Sequence, residues 1–170
     1  MLILGIDPGS VHTGFGLVAR QGQRFEAIEF GRFSCPANQP LADRLASLAM
    51  ELRTLVDRHG PEAVVLETPF HGLNSRSLVV LAQARGALLS VLGGRELVVA
   101  EYSPAEVKKA VTGSGRADKK QVSWMVCQQL QIPAAGLSED ASDALAVALC
   151  YAHRHRMDRL MKGRSADRRG

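Results

Sequence analysis

Apolar residues along this chain fall first into short solid runs and then into helical stripes, and acids close two of the runs. Leu2–Asp7 (LILGID) is apolar up to an aspartate and is halted by Pro8-Gly9, which predicts a buried strand ending in a turn. Residues 13–19 and 25–33 follow as two more strands around the turn Gln21-Gly22-Gln23, so an antiparallel meander of three strands opens the chain. The period then changes. Leu41, Leu45, Leu48, Leu52 and Leu55 recur at helical spacing within residues 40–59, and Gly60-Pro61 stops that helix. Ala63–Glu67 (AVVLE) and residues 97–102 (LVVAEY) read as interior strands again, and helices are expected over residues 74–93, 104–111, 120–131 and 140–155.

A meander followed by alternating helices and strands implies an α/β domain, with a mixed five-stranded sheet flanked by helices. No internal repeat, low-complexity linker or second apolar core divides residues 1–156. Beyond them charge replaces any apolar period, so residues 157–170 are expected to form a basic, disordered tail. From His153 to Gly170 seven Lys/Arg stand against two Asp, about +5, whereas the whole chain carries +4. The body is therefore nearly neutral, and the excess charge favours acidic partners without naming one. Cys35, Cys127 and Cys150 are odd in number and widely spaced, which suits reduced thiols in a cytosol better than disulfides or a zinc site. The N-terminus has no basic region followed by an apolar stretch, and the apolar run over residues 78–92 is interrupted by Gln83 and Arg85. A soluble cytoplasmic protein with no membrane partner is the expectation.

The chemistry lies in the acids. Asp7 ends an apolar strand beside a glycine-rich turn, and a carboxylate there is costly unless a cation or partner compensates it. The plainer alternative is an aspartate capping the turn amides. Glu67 repeats the arrangement at the carboxyl end of another interior strand, the end where ligands gather in open α/β sheets. In SEDASDALAVA, Asp140 and Asp143 lie three residues apart, on one face of the expected helix. Alone they would suit a helix cap and the helix dipole. Taken together, the four acids are better explained as a cluster, and a cluster repels itself unless positive charge sits in it. Oxygen-only ligands select Mg²⁺ or Mn²⁺, and two such ions roughly 3.5–4 Å apart can hold a scissile phosphate.

Several segments in order, GIDPGS-x₂-TG-x-G, the strand ending in Glu67 with Thr-Pro-Phe after it, LAQARGALL, VKKAVTGSGRADKKQV and DASDALAVA, resemble the RuvC family of Holliday-junction resolvases, and the likeness runs from Met1 to about His155. The resemblance implies a ribonuclease H-like fold, a homodimer, Mg²⁺ (two ions per site, with Mn²⁺ able to substitute) and paired symmetric nicks in four-way junctions during DNA recombination and repair. It also implies the partners RuvA and RuvB. On it, Asp7, Glu67, Asp140 and Asp143 fall on the family's four catalytic, metal-binding positions. Some relatives carry His at the position of Asp140; this chain keeps Asp.

Basic residues in and beside the loop TGSGRADKK, namely Lys108, Lys109, Arg116, Lys119 and Lys120, are candidates to hold DNA phosphates, against the plain reading of a solvated loop. Lys108 and Lys119 match the family's basic positions near its active site, where a lysine neutralises charge developing on the phosphate. Phe70 matches an aromatic that contacts unpaired bases, the alternative being a core side chain. The helix carrying Leu78, Val79, Leu88 and Leu92 is apolar nearly all round, which suits burial by its own core or at a two-fold interface. Three rivals stay open: an actin-like phosphate-binding ATPase fragment, disfavoured because one domain lacks the second phosphate loop; a catalytically silent DNA-binding module; and another ribonuclease H-like nuclease.

Overall fold

The computed structural model describes residues 1–69 and 75–167, with side chains described to residue 155. Its strands are β1 (Leu2–Asp7), β2 (His12–Gln21), β3 (Arg24–Ser34), β4 (Ala63–Glu67) and β5 (Val98–Tyr102). They form one mixed sheet in the order β3-β2-β1-β4-β5, antiparallel across β3-β2-β1 and parallel across β1-β4-β5. The helices are α1 (Leu41–His59), α2 (Ser75–Leu92), α3 (Pro104–Thr112), α4 (Lys119–Leu130) and α5 (Glu139–Asp167).

Side chains alternate across a strand, and this alternation splits the core in two. Leu4 and Ile6 of β1, Phe15 and Leu17 of β2, and Val64 and Leu66 of β4 pack with Leu48 and Leu52 of α1 and Leu88 and Leu92 of α2. Ile3, Val18, Ala63 and Val65 point the other way, to Val107 of α3, Val126 of α4 and Leu145–Leu149 of α5. Asp7 continues the parity of Ile3, and Glu67 that of Ala63 and Val65. Both acids therefore emerge on the face covered by α3, α4 and α5.

At three glycines the backbone of α5 comes directly against β1 and β2. A Cβ at Gly5 would meet the backbone of Ala144 and lie 2.7 Å from the Ala148 nitrogen; one at Gly14 would meet the Asp140 carbonyl group, and one at Gly16 would come within 2.8 Å of the Leu145 nitrogen. Only glycine lets helix and sheet backbones approach so closely. Local signals fix the other helices. Gly60, at φ 57°, ends α1 by donating its N–H to the Val56 carbonyl. α3 and α4 each start with a capping box, Ser103 with Glu106 and Asp118 with Gln121.

Two expectations change. α5 runs on to Asp167 instead of ending at His155. Its extension is rich in Arg, Lys, Met, Leu and Ala, good helix formers that continue a turn without an apolar period. Secondly, α2 has 18 residues at a mean hydropathy of 1.2, long and apolar enough to cross a membrane by length and composition. Its C-terminal half packs instead in a core, through Ala84, Leu88, Val91 and Leu92. Its first half is open, with Leu78 and Val79 exposed at 42% and 58%. The three cysteines are free and buried.

Candidate active site

Asp7 and Glu67 end neighbouring parallel strands, because the pairing Ile6↔Leu66 places the next residues of β1 and β4 side by side. Facing them, the first two turns of α5 bring in Asp140 and Asp143. Other side chains fill the turn and cap roles considered for these acids. The turn after Asp7 is closed by Thr13, whose hydroxyl donates to the Gly9 carbonyl at 2.7 Å and accepts from the Gly9 amide at 3.2 Å. The cap of α5 is Ser138, whose hydroxyl accepts from the Ala141 amide at 3.3 Å. Asp140 and Asp143 are thus left to project from the helix.

Asp7, Glu67 and Asp143 line one cleft of about 360 Å³ together with Lys108 and Lys119. Burial, followed by the charges of Glu67, Asp143 and Asp140, pushes the Asp7 carboxyl up to about 7, against the opposing pull of Lys119. Glu67 is also pushed up to about 7, first by burial and then by Asp143, with Lys119 and Lys108 opposing. Burial raises Asp143 as well, although Lys119 donates to its Oδ2 at 3.2 Å. The same contact pushes Lys119 above the ordinary lysine range, so it is fully cationic. Asp140 stands beside the cleft, with Arg32 of β3 at 3.5 Å from its Oδ2.

The four acids are close enough to repel one another, and every donor is a hard oxygen. That chemistry fits Mg²⁺ or Mn²⁺. Their oxygens do not yet converge: among the described residues, no group of three or more His, Cys, Asp or Glu forms a ready-made metal site. Lys119 meanwhile supplies the positive charge beside Asp143.

Of the basic residues, Lys119 and Lys120 sit in the first turn of α4 and not in a loop. Lys108 reaches the cleft, whereas Lys109, Lys120 and Arg116 are exposed and do not line it. Phe70 lies outside the described residues. Sequence reasoning missed Arg85 of α2, which is buried, donates to the main-chain carbonyl of Glu67 and binds Glu101 of β5 at 2.8 Å. It thereby fastens the end of β4 to its neighbours. The available signal was an arginine inside an apolar helical run, which needs a buried partner.

An open cleft where carboxylates alternate with ammonium groups, on a mixed sheet opened by an antiparallel meander, suits a phosphodiester better than a neutral substrate. In class it is a ribonuclease H-like nuclease. Comparison with known proteins makes this specific: residues 3–151 match the family model described as crossover junction endodeoxyribonuclease RuvC, and the chain belongs to that family. The RuvC protein of Pelotomaculum thermopropionicum is 41% identical over 162 residues, 95% of this chain and 99% of its own. That of Syntrophomonas wolfei is 40% identical, over 95% and 94%. The structure of Thermus thermophilus RuvC superposes with a TM-score of 0.86 at 30% identity, covering 93% of this chain and 97% of that one. The same protein in complex with a Holliday junction substrate gives 0.87, with 93% and 96% covered.

Proposed function

We propose that this chain resolves four-way DNA junctions by paired, symmetric nicks, using Asp7, Glu67, Asp140 and Asp143 to hold two Mg²⁺ ions. The observation that carries the reading is the gathering of three of these acids from β1, β4 and α5 in a cleft shared with Lys108 and Lys119. RuvC nucleases are metal-dependent; with ions bound, an attacking water is acidified and the leaving 3′ oxygen stabilised. The chain's own residues do the rest. The acids anchor the site to rigid strands, and Lys108 and Lys119 offer charge to the phosphate being cut. Lys109, Arg116 and Lys120 take phosphates away from the cut, while Phe70 stacks on unpaired bases. Residues 1–156 carry this activity, in the cytoplasm, with RuvA and RuvB as partners, and the basic residues beyond them continue α5 as far as Asp167.

The test is cutting by the purified protein, with Mg²⁺ or chelator, of four-way, duplex and RNA–DNA hybrid substrates. Junction-selective, chelator-sensitive nicking supports the reading, and selective cutting of the hybrid overturns it. In the same assay Lys119→Met slows cutting by roughly 10²-fold while changing junction affinity far less. Equal losses of rate and affinity would reduce Lys119 to a plain phosphate contact.

The active unit we propose is a homodimer joined through the open half of α2. Leu78 and Val79 there are the kind of exposed apolar pair that marks an interface, and a two-fold pair of sites matches the near two-fold symmetry of a junction. Val79→Asp is expected to weaken dimerisation by roughly 100-fold or more, since it carries a charge into an apolar contact. Light scattering at micromolar protein reads this directly. An unchanged dimer mass would place the interface elsewhere.

A further inference from the structure

α4 buries Val122, Val126, Cys127 and Leu130, and on its outer side it presents Trp124, the one tryptophan of the chain, 62% exposed. A bare indole of that size is unusual on a lone surface, since tryptophan normally buries its rings. Lys120 lies one helical turn before it on the same face. Two grooves meet at this pair. One, of about 460 Å³, runs beside the loop that carries Arg116 and is walled by Thr112, Ser114 and Asp118. The other, of about 300 Å³, is walled by Ser138 and Ser142 and also contains Lys119 and Asp143. Those last two residues line the catalytic cleft as well, so cleft and groove adjoin across the Lys119–Asp143 contact.

A second observation points to a ligand in that groove. The Ser142 hydroxyl is buried and has no hydrogen-bond partner among the described residues, a state that costs free energy unless something arrives to satisfy it. The acids nearby are already occupied: Asp118 accepts from the Gln121 amide at 2.8 Å, and Glu139 lies 3.7 Å from the Lys119 ammonium. Lys119, Lys120 and Arg116 supply exposed cations there, beside the exposed carboxylates of Asp118 and Glu139.

Building on the nuclease reading, we infer that Trp124 and Lys120 grip the DNA strand where it leaves the catalytic cleft. The indole packs on a base or sugar face and the lysine takes a phosphate. Stacking of this sort tolerates any base sequence, because every base has a π-face. The surface thus adds affinity for DNA beyond the cut without adding sequence preference.

The lone tryptophan makes the contact directly readable. With cutting silenced by Asp7→Asn, four-way junction DNA is added while tryptophan emission and electrophoretic mobility are followed together. Quenching that tracks complex formation is expected. Trp124→Ala, with an unchanged melting temperature, should weaken junction binding about tenfold, and Trp124→Phe should restore most of it. Lys120→Met should lower the salt dependence of binding by about one phosphate contact. Complex formation with unchanged emission overturns the inference and leaves the nuclease reading intact. Absence of any junction complex overturns both. Emission that shifts with protein concentration alone assigns the face to a second copy of the chain and also overturns it.

Discussion

Asp7→Asn is expected to reduce junction cutting by roughly 10³-fold or more, about 4 kcal/mol of barrier, and at the same time to stabilise the metal-free protein above neutral pH. The two effects share one cause. Asp7 and Glu67 titrate near 7 in the folded protein, against ordinary values of 3.8 and 4.5. Between about pH 4 and 7 the folded chain therefore holds protons that the unfolded chain has released. By linkage, stability falls as pH rises through that window, and the full penalty is present above 7. Removing the Asp7 charge lifts its share, on the order of 1–2 kcal/mol, or a few degrees in melting temperature. Thermal unfolding in chelator should show Asp7→Asn more stable than the parent at pH 8 and nearly equal to it below pH 4. Equal stability at both pH values would mean that the Asp7 carboxylate is neither penalised by burial nor repelled by its neighbours, and the case for an ion beside it would weaken accordingly.

Gly5→Ala should cost roughly 3 kcal/mol and lower the melting temperature by about 10 °C, though it adds one methyl group. The new carbon would stand 2.7 Å from the Ala148 nitrogen and closer still to the Ala144 carbonyl, both backbone atoms of α5 that cannot rotate away. The helix has to lift, and Asp140 and Asp143 lift with it. Cutting should thus fall at temperatures where the variant is still folded, a loss that a surface substitution of equal stability cost would not show. Calorimetry paired with a cutting assay at 20 °C separates the two. Full activity in a destabilised Gly5→Ala protein would show that helix-to-sheet spacing does not govern the site.

Much of this was legible in the chain. Strand ends at Asp7 and Glu67 follow from apolar runs that stop at an acid, and their common face follows from a period of two. The choice of β4 as the neighbour of β1 does not, since it depends on contacts sixty residues apart. The use of the glycines in β1 and β2 appears only when a helix backbone lies against them. Arg85 read as an interruption and is an internal tie, because its partners, the Glu67 carbonyl and Glu101, come from other elements. Arg32 beside Asp140 left no local trace, being set by the crossing of β3 over the start of α5. The length of α5 was underread because its last turns follow composition and not an apolar stripe.

α5, which covers one face of the sheet, follows every strand in chain order. Residues 144–150 of α5 are all buried, and Asp140 and Asp143 stand at its start, while Asp7 and Glu67 lie far earlier in the chain. Translation delivers the amino end first, so a polypeptide broken off before residue 139 would expose the bare face of its sheet and lack two of the four acids. The cleft is incomplete until α5 has been made and has docked on the sheet.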